Sequence, residues 1–358
     1  MNGLPVHPPS KMSEFRNTRS EKLQPIEEKY EEIRAADPLG FDRHVEDLVA
    51  YNHAKETNLI INLLHEAATK TRQILPNLGA ADAAACIRDI DFLVSSLVAH
   101  GVKPFEYGGD VERVLLNLAS ITGTVPRGTS FTYGNGNPEG RRQRTFTGDA
   151  QEGIFIDAIA RSSMAISHSL SSLSDQQGLS TDVSALTSAV EAAMSSMISV
   201  KRTVTPDFFT NQLRPYLELW TVDGRDYFGP GGIQTLLPVD LILWGVDETS
   251  EMWIEFVETN YPYLDQVQKE SLNLILGKNG GKSVYAHALD SGNPNMQRNV
   301  YNCLQALKKF RYPHRKLVQD NVGLAEDEDT YADSIVDVLL NKTIILAQEL
   351  ENRLLNQT

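Results

Sequence analysis

Apolar residues recur at helical spacing almost everywhere past Asp37, and strand-like alternation is nearly absent. Leu59, Leu63 and Ala67 fall on one face of one such stretch, and Ile87, Ile90, Leu93, Val94, Leu97 and Val98 on that of another. Further helical patterns cover 154–173, 183–200 and 206–220, the last opened by the start signal Thr205-Pro206-Asp207. Helices resume near Ser250, Tyr263, Asn295 and Asp329, and no period of 20 to 50 residues repeats, which argues against a solenoid. The expected fold class is therefore all-α, a multi-helix bundle. With 358 residues, 41% of them hydrophobic, the chain can bury the cores of two packed domains. The expected order is a flexible or partly docked arm over 1–36, a smaller helical domain over 37–130 and a larger one over 131–358. The arm is polar and broken by Pro5, Pro8, Pro9 and Pro25, and its end is expected to dock as helix.

Two stretches interrupt the helical pattern. Thr132 to Gly148 holds four glycines, a proline and three arginines, so it reads as a long ordered or lid-like loop. Thr221 to Gly232 is turn-rich and reads as a small hairpin running into a Gly-Pro-Gly-Gly loop ahead of the apolar run 236–244.

Charge and cysteine usage exclude several function classes. Lys plus Arg number 33 against 47 Asp plus Glu, a formal net charge of −14. That balance argues against nucleic acid, whose phosphates need a positive footprint, and against an anionic membrane surface. Cys86 and Cys303 lie far apart and show no zinc or disulfide spacing, which fits a reducing cytoplasm. Residues 1–30 lack the apolar stretch of a signal peptide.

Chemistry concentrates in the segment 296–321. Val300, Leu304, Leu307 and Phe310 trace one helical face, and Pro313 is expected to kink the helix or restart it. His314 follows, sharing an i, i+3, i+4 stripe with Leu317 and Val318, while Arg315, Lys316, Gln319 and Asp320 face outward. Two readings stand. A neutral imidazole facing an apolar cavity is what a haem iron needs as its fifth ligand, with the carbonyl of Lys309 or Phe310 free to fix the tautomer. The other reading is a hydrogen-bonded core histidine at a kink.

A second constellation is FFTNQLRPYLELW, residues 208–220. Leu213, Tyr216, Leu217 and Trp220 share a face, with Arg214 beside them and Pro215 disturbing the turn. An arginine among aromatics offers a planar fork for a carboxylate and rings for an aromatic side chain. Gly231 and Gly232 let backbone approach a ligand closely. The alternative is an arginine stem that passes aromatics on its way to a surface acid.

That run, followed by YFGPGGIQTLLPVDLILWG (227–245), resembles the matching segment of the indoleamine/tryptophan dioxygenase superfamily. It is more similar still to the monodechloroaminopyrrolnitrin synthase family of the pyrrolnitrin pathway, as are AADPL (35–39), IRDIDFLVSSLVAHG (87–101), RTFTG (144–148) and FRYPHRKL (310–317). These segments occur in order over roughly residues 35 to 345. The resemblance implies an indoleamine 2,3-dioxygenase-like bundle enclosing haem b (iron protoporphyrin IX), with His314 as proximal ligand. It implies that Arg214 partners a substrate carboxylate, that Phe209 belongs to an aromatic wall, and that Gly231 and Gly232 lie near substrate and a haem edge. The helix with Phe155 and Ser162 would complete the distal side. One departure is the acidic run Glu326–Asp329 with Val322, where that family has a substrate tyrosine and serine.

The expected activity is a haem-dependent oxidation of an aromatic amino acid, tryptophan or a derivative, by dioxygen or peroxide, with an electron donor where needed, in secondary metabolism. A tyrosine-hydroxylase-like enzyme, a non-enzymatic haem or indole sensor and a cofactor-free interaction module are the alternatives. No acid–base side chain stands out. Of Arg141, Arg142 and Arg144, the last is the candidate for a haem propionate, against simple solvation of the loop. Cys303 reads as a buried small hydrophobe rather than a thiolate ligand. Gly277–Ser283 is not a phosphate-binding loop, because its glycine spacing is short by one and helix precedes it. His65-Glu66 lacks a second histidine, and His53, His100, His168 and His287 show no ligand spacing.

Overall fold

The computed structural model describes residues 26–107, 110–177, 182–230, 233–245, 251–322 and 331–356. The described residues are overwhelmingly helical, as the apolar spacing predicts. The only β-structure among them is a hairpin of β1 (Trp220–Val222) and β2 (Arg225–Tyr227), with Trp220 opposite Tyr227. The chain forms two compact units, neither continuous in sequence. A first unit comprises Gln24–Ala160 with Arg202–Gln234, and a second holds Arg161–Lys201 and Thr235–Thr358. The border expected at residue 130 falls inside the first unit.

The first unit is built on α4 (Ala80–Ala99), which is buried from Ala83 to Leu97 and so must be covered on every side. Helices α1 (Ile26–Ala35), α3 (Thr57–Ile74) and α5 (Val111–Thr122) cover it; α2 (Val45–Ala54) packs on α3. The core starts earlier than Asp37, because Ile26, Tyr30 and Ile33 of α1 are buried. On α3 the buried stripe is Ile60, Leu64, Ala67 and Ala68, one residue round from the expected one, and Leu59 is exposed. Leu59 and Ile60 both continue an apolar period, so spacing alone does not choose between the two faces.

Three charged residues of α4 are also buried, and each is paired. Arg88 bonds Asp89 (2.8 Å) and the carbonyls of Ile33, Ala36 and Gly136. Asp89 also receives Arg144 (3.0 Å), while Asp91 faces Arg127 (3.4 Å) and accepts the Gly128 N–H. The 132–148 stretch is accordingly no lid. It leaves the four-residue helix α6 (Ser130–Tyr133) and is mostly buried to Pro138, with Asn137 clasping both the N–H and the carbonyl of Arg144. Asn135 bonds the Ala160 carbonyl on α7 (Ala150–Asp175).

The helix expected over 206–220 is shorter. Thr205 accepts the Phe208 N–H, as its start signal predicts, but helical structure stops at Leu217 and Trp220 opens β1. Buried Arg127 fastens this hairpin, donating to the carbonyls of Glu218 and Tyr227 with its guanidinium 4.7 Å over the Trp220 ring.

The second unit contains α8 (Ser184–Thr203, its last residues apart), α9 (Ile233–Trp244, its first two residues apart), α10 (Glu251–Asn260), α11 (Gln266–Lys278), α12 (Val284–Ser291), α13 (Pro294–Val322) and α14 (Tyr331–Leu355). Helices α13 and α14 pack along each other, and Val300, Leu304, Leu307 and Phe310 form the buried face predicted for α13. Gly277–Ser283 is a helix-to-helix turn, as its spacing argued. Lys278 caps the end of α7, donating to the Ser174 carbonyl and to that of Gln176 just past it, Lys282 pairs with Asp290, and Ser283 N-caps α12. No described helix is long and apolar enough to cross a membrane.

Candidate functional site

His314 sits on α13 immediately after Pro313. The proline lies within a continuous helix, Pro294–Val322, rather than ending it. The imidazole is half-buried and stacked on Phe310, centroids 5.3 Å apart and planes 22° from parallel. No hydrogen bond joins the ring to the Lys309 or Phe310 carbonyl among the described residues, so the expected tautomer lock is absent. Burial, seconded by the charge of Arg311, lowers the His314 pKa from 6.5 to about 4. The ring is therefore uncharged at neutral pH, with a nitrogen lone pair to offer. Arg315 pairs with Asp337, Lys316 is exposed, and Leu317 is half-buried.

One turn before His314, Arg311 is 3% exposed and fully employed. It donates to Asp240 on α9 and to the Leu339 carbonyl and Thr343 hydroxyl on α14, and its guanidinium lies 4.8 Å from the Trp244 ring. A fork with several donors can tie three helices together where a lysine would not. Burial raises the Asp240 pKa to about 6 even against Arg311. The Trp244 indole N–H is buried without an acceptor among the described residues. Sequence reasoning missed this cluster. Its only early sign was charged Asp240 and Arg311 inside apolar helical runs.

The other candidate residues lie on the first unit. Phe209 and Phe155 are half-buried with ring centroids 5.5 Å apart, so the structure brings these two together. Phe155 contacts Tyr133 (6.4 Å), and Tyr133, Phe92, Phe146 and Tyr216 continue the cluster, with Phe146 and Tyr216 stacked at 4.8 Å. Arg214 stands at the edge, half-buried and 3.5 Å from Glu218. Its guanidinium thus meets a surface acid, as in the alternative reading of this arginine left open by the sequence. Ser162 is half-buried on α7, in the part that belongs to the second unit. Gly231, Gly232 and the acidic run 326–329 lie outside the described residues.

Arg144 departs from its expected role at a propionate. It is 1% exposed, and its guanidinium is taken up by Asp42 (2.6 Å), Asp89 (3.0 Å), Asp37 (3.4 Å) and the Arg142 carbonyl. Buried Asp89 needs a cation, and Arg144 supplies it. Likewise AADPL, IRDIDF and RTFTG meet in one buried network through Asp37, Arg88, Asp89 and Arg144 and hold the unit together. Arg142 pairs with Asp42.

The donor chemistry fits a haem better than a bare metal ion. No group of three or more His, Cys, Asp or Glu able to hold a metal exists among the described residues. A porphyrin fills four positions itself and asks the protein for one or two ligands. Neither cysteine meets that need, since burial pushes both thiols up to about 12 and no thiolate forms. The uncharged imidazole of His314 has the lone pair that such a ligand needs.

Residues 11–310 match the family described as Monodechloroaminopyrrolnitrin synthase PrnB. The matched stretch takes in Phe155, Phe209, Arg214 and Arg311's neighbour Phe310, and stops four residues before His314. It spans most of the chain, in accord with the all-α fold and the ordered motifs above. The chain belongs to the monodechloroaminopyrrolnitrin synthase PrnB family, haem-dependent oxidative enzymes of tryptophan-derived secondary metabolism, and is itself an oxidoreductase.

Proposed function

We propose that this chain oxidises an aromatic amino acid, tryptophan or a tryptophan-derived compound, using haem b held through His314. The observation that carries this reading is the uncharged imidazole of His314, half-buried and stacked on Phe310. When bound, haem supplies the activation of dioxygen or peroxide, with electrons from a donor outside the chain where the reaction needs them.

The chain's own part is binding and positioning. His314 would hold the haem iron through a ring nitrogen, and the Arg311 clamp to Asp240 and Thr343 fixes the turn of α13 that carries it. Arg214 exchanges Glu218 for the substrate carboxylate, and Phe209 with Phe155 receives the aromatic ring. The family resemblance alone assigns Ser162 a hydroxyl contact with substrate, and it names Gly231 and Gly232, which lie outside the described residues. No side chain in this set is required to shuttle a proton. A reducing, cytoplasmic setting is supported by Cys86 and Cys303, which form no disulfide.

Titration of the haem-loaded ferric protein with tryptophan, tyrosine and halogenated analogues tests the reading. Tryptophan-class ligands are expected to shift the Soret band saturably, and Arg214→Ala to weaken them by roughly 10- to 100-fold, as loss of a charge-assisted pair would. A Soret band that no aromatic amino acid perturbs would overturn it.

A further inference from the structure

The helix opened by Pro206 changes its hydrogen-bonding step midway. From Phe208 to Leu213 it is a π-turn, and the Arg214 N–H donates to the Phe209 carbonyl, five residues back instead of four. A 3₁₀ turn, Arg214–Leu217, with Pro215 in its first positions, follows directly. Burial obeys the same five-residue step. Phe208 and Leu213 are 1% and 0% exposed, Phe209 and Arg214 are both half-buried, and Asn211 and Gln212 are exposed. Single π-turns within helices are uncommon and tend to mark functional sites.

The step decides which side chains share a face. At 3.6 residues per turn, residues five apart in an α-helix are separated by about 500°, so Phe209 and Arg214 would point about 140° apart. Closing the ring at i+5, at about 4.4 residues per turn, brings them back to within about 50° of each other. Pro215 supplies the reason the α-register is not adopted. It has no N–H to give the Asn211 carbonyl, and its ring crowds the turn before it.

We propose that Pro215 is a positioning residue that sets substrate affinity: by denying α-helical closure it keeps the π-turn, and with it Arg214, on the same face as Phe209. The proposal rests on the reading of Arg214 and Phe209 as the substrate-binding pair. It assigns Pro215 no contact with substrate and no part in haem binding.

The test uses haem-loaded full-length protein and three variants: Pro215→Ala, Pro215→Ala with Gln212 deleted, and Arg214→Ala. Pro215→Ala restores the missing donor and should let the segment relax to α-helix. It is expected to raise the tryptophan Kd, by calorimetry or Soret titration, about tenfold. KM should rise with kcat changed less than twofold, the haem spectrum should not change, and amide exchange over 211–217 should alter. Deleting Gln212 in that background puts phenylalanine and arginine four apart in an α-helix, about 40° from eclipsed, and is expected to restore the Kd to within twofold or threefold. Unchanged affinity in Pro215→Ala overturns the proposal, as does failure of the deletion to rescue. Loss of the folded state in Pro215→Ala, read by circular dichroism, would make the proline a core stabiliser and overturns it too. If Arg214→Ala also binds tryptophan normally, the substrate reading itself has failed; if only Arg214→Ala binds poorly, the Pro215 proposal alone has.

Discussion

Asp42 shows how single residues in this chain report on their partners. Burial pushes its carboxyl up, but hydrogen bonds and charge from Arg142 and Arg144 outweigh that, and its pKa falls below 3.8. A folded-state pKa below the unfolded one gives stability that is present above pH 3.8 and is lost as pH falls through the folded value. Asp42→Asn should therefore cost about 1 kcal/mol at pH 7, a part-exposed pair's worth, and progressively less as pH falls through the folded value. Urea denaturation over a descending pH series checks this; a cost independent of pH would contradict it. Glu218 is a different case, since its carboxylate occupies Arg214 before any substrate does. Glu218→Gln is expected to tighten tryptophan binding by about two- to fourfold, because an exposed pair is worth no more than about 1 kcal/mol. Weaker binding in calorimetry would mean that Glu218 orients Arg214 instead. His314 and Arg214 stood out in the sequence because each is a polar group set in an apolar helical period. The role of Arg144 was not, since its carboxylate partner Asp89 lies 55 positions away and spacing carries no such information.

At the scale of elements, the RTFTG loop illustrates why a glycine-rich stretch can be rigid. Fully buried Glu152, on the first turn of α7, accepts the N–H groups of Phe146 (2.8 Å) and Thr147 (2.8 Å), the Thr147 hydroxyl (2.7 Å) and the Tyr133 hydroxyl (3.3 Å). Burial raises its pKa, against those hydrogen bonds. Gly148, at φ +67°, then turns the chain where an added Cβ would stand 2.8 Å from Val49. Glu152→Gln turns one acceptor into a donor facing a donor, and should cost about 2–3 kcal/mol with faster amide exchange at Phe146 and Thr147. Exchange at the wild-type rate would show that the loop is held by something else. Sequence composition identified the irregular stretch correctly but not its burial, because Asn137 and Glu152 satisfy its backbone only once the chain has folded. The π-turn was invisible for a related reason: only Pro215, seen as a disturbance, hinted at a changed step. The hairpin over 220–227, by contrast, was readable from its turn residues alone.

For the whole molecule, helical periodicity was enough to give the class, since every long apolar run has one repeat. It could not give the units, which exchange segments near residues 160, 201 and 234 while α7 runs unbroken through the first of these borders. A group bound by the folded chain and not by the unfolded one must stabilise it by mass action. Haem at about a hundred times its Kd should therefore raise the melting temperature by roughly 5 °C, and His314→Ala should abolish that rise while leaving the apoprotein's melting temperature nearly unchanged. The most direct measurement is the absorption spectrum of His314→Gly with and without added imidazole. The account predicts a haem spectrum that is lost or weakened by the substitution and returns to the wild-type form when imidazole takes the place of the missing side chain. A His314→Gly protein that binds haem with the wild-type spectrum in the absence of imidazole would contradict it.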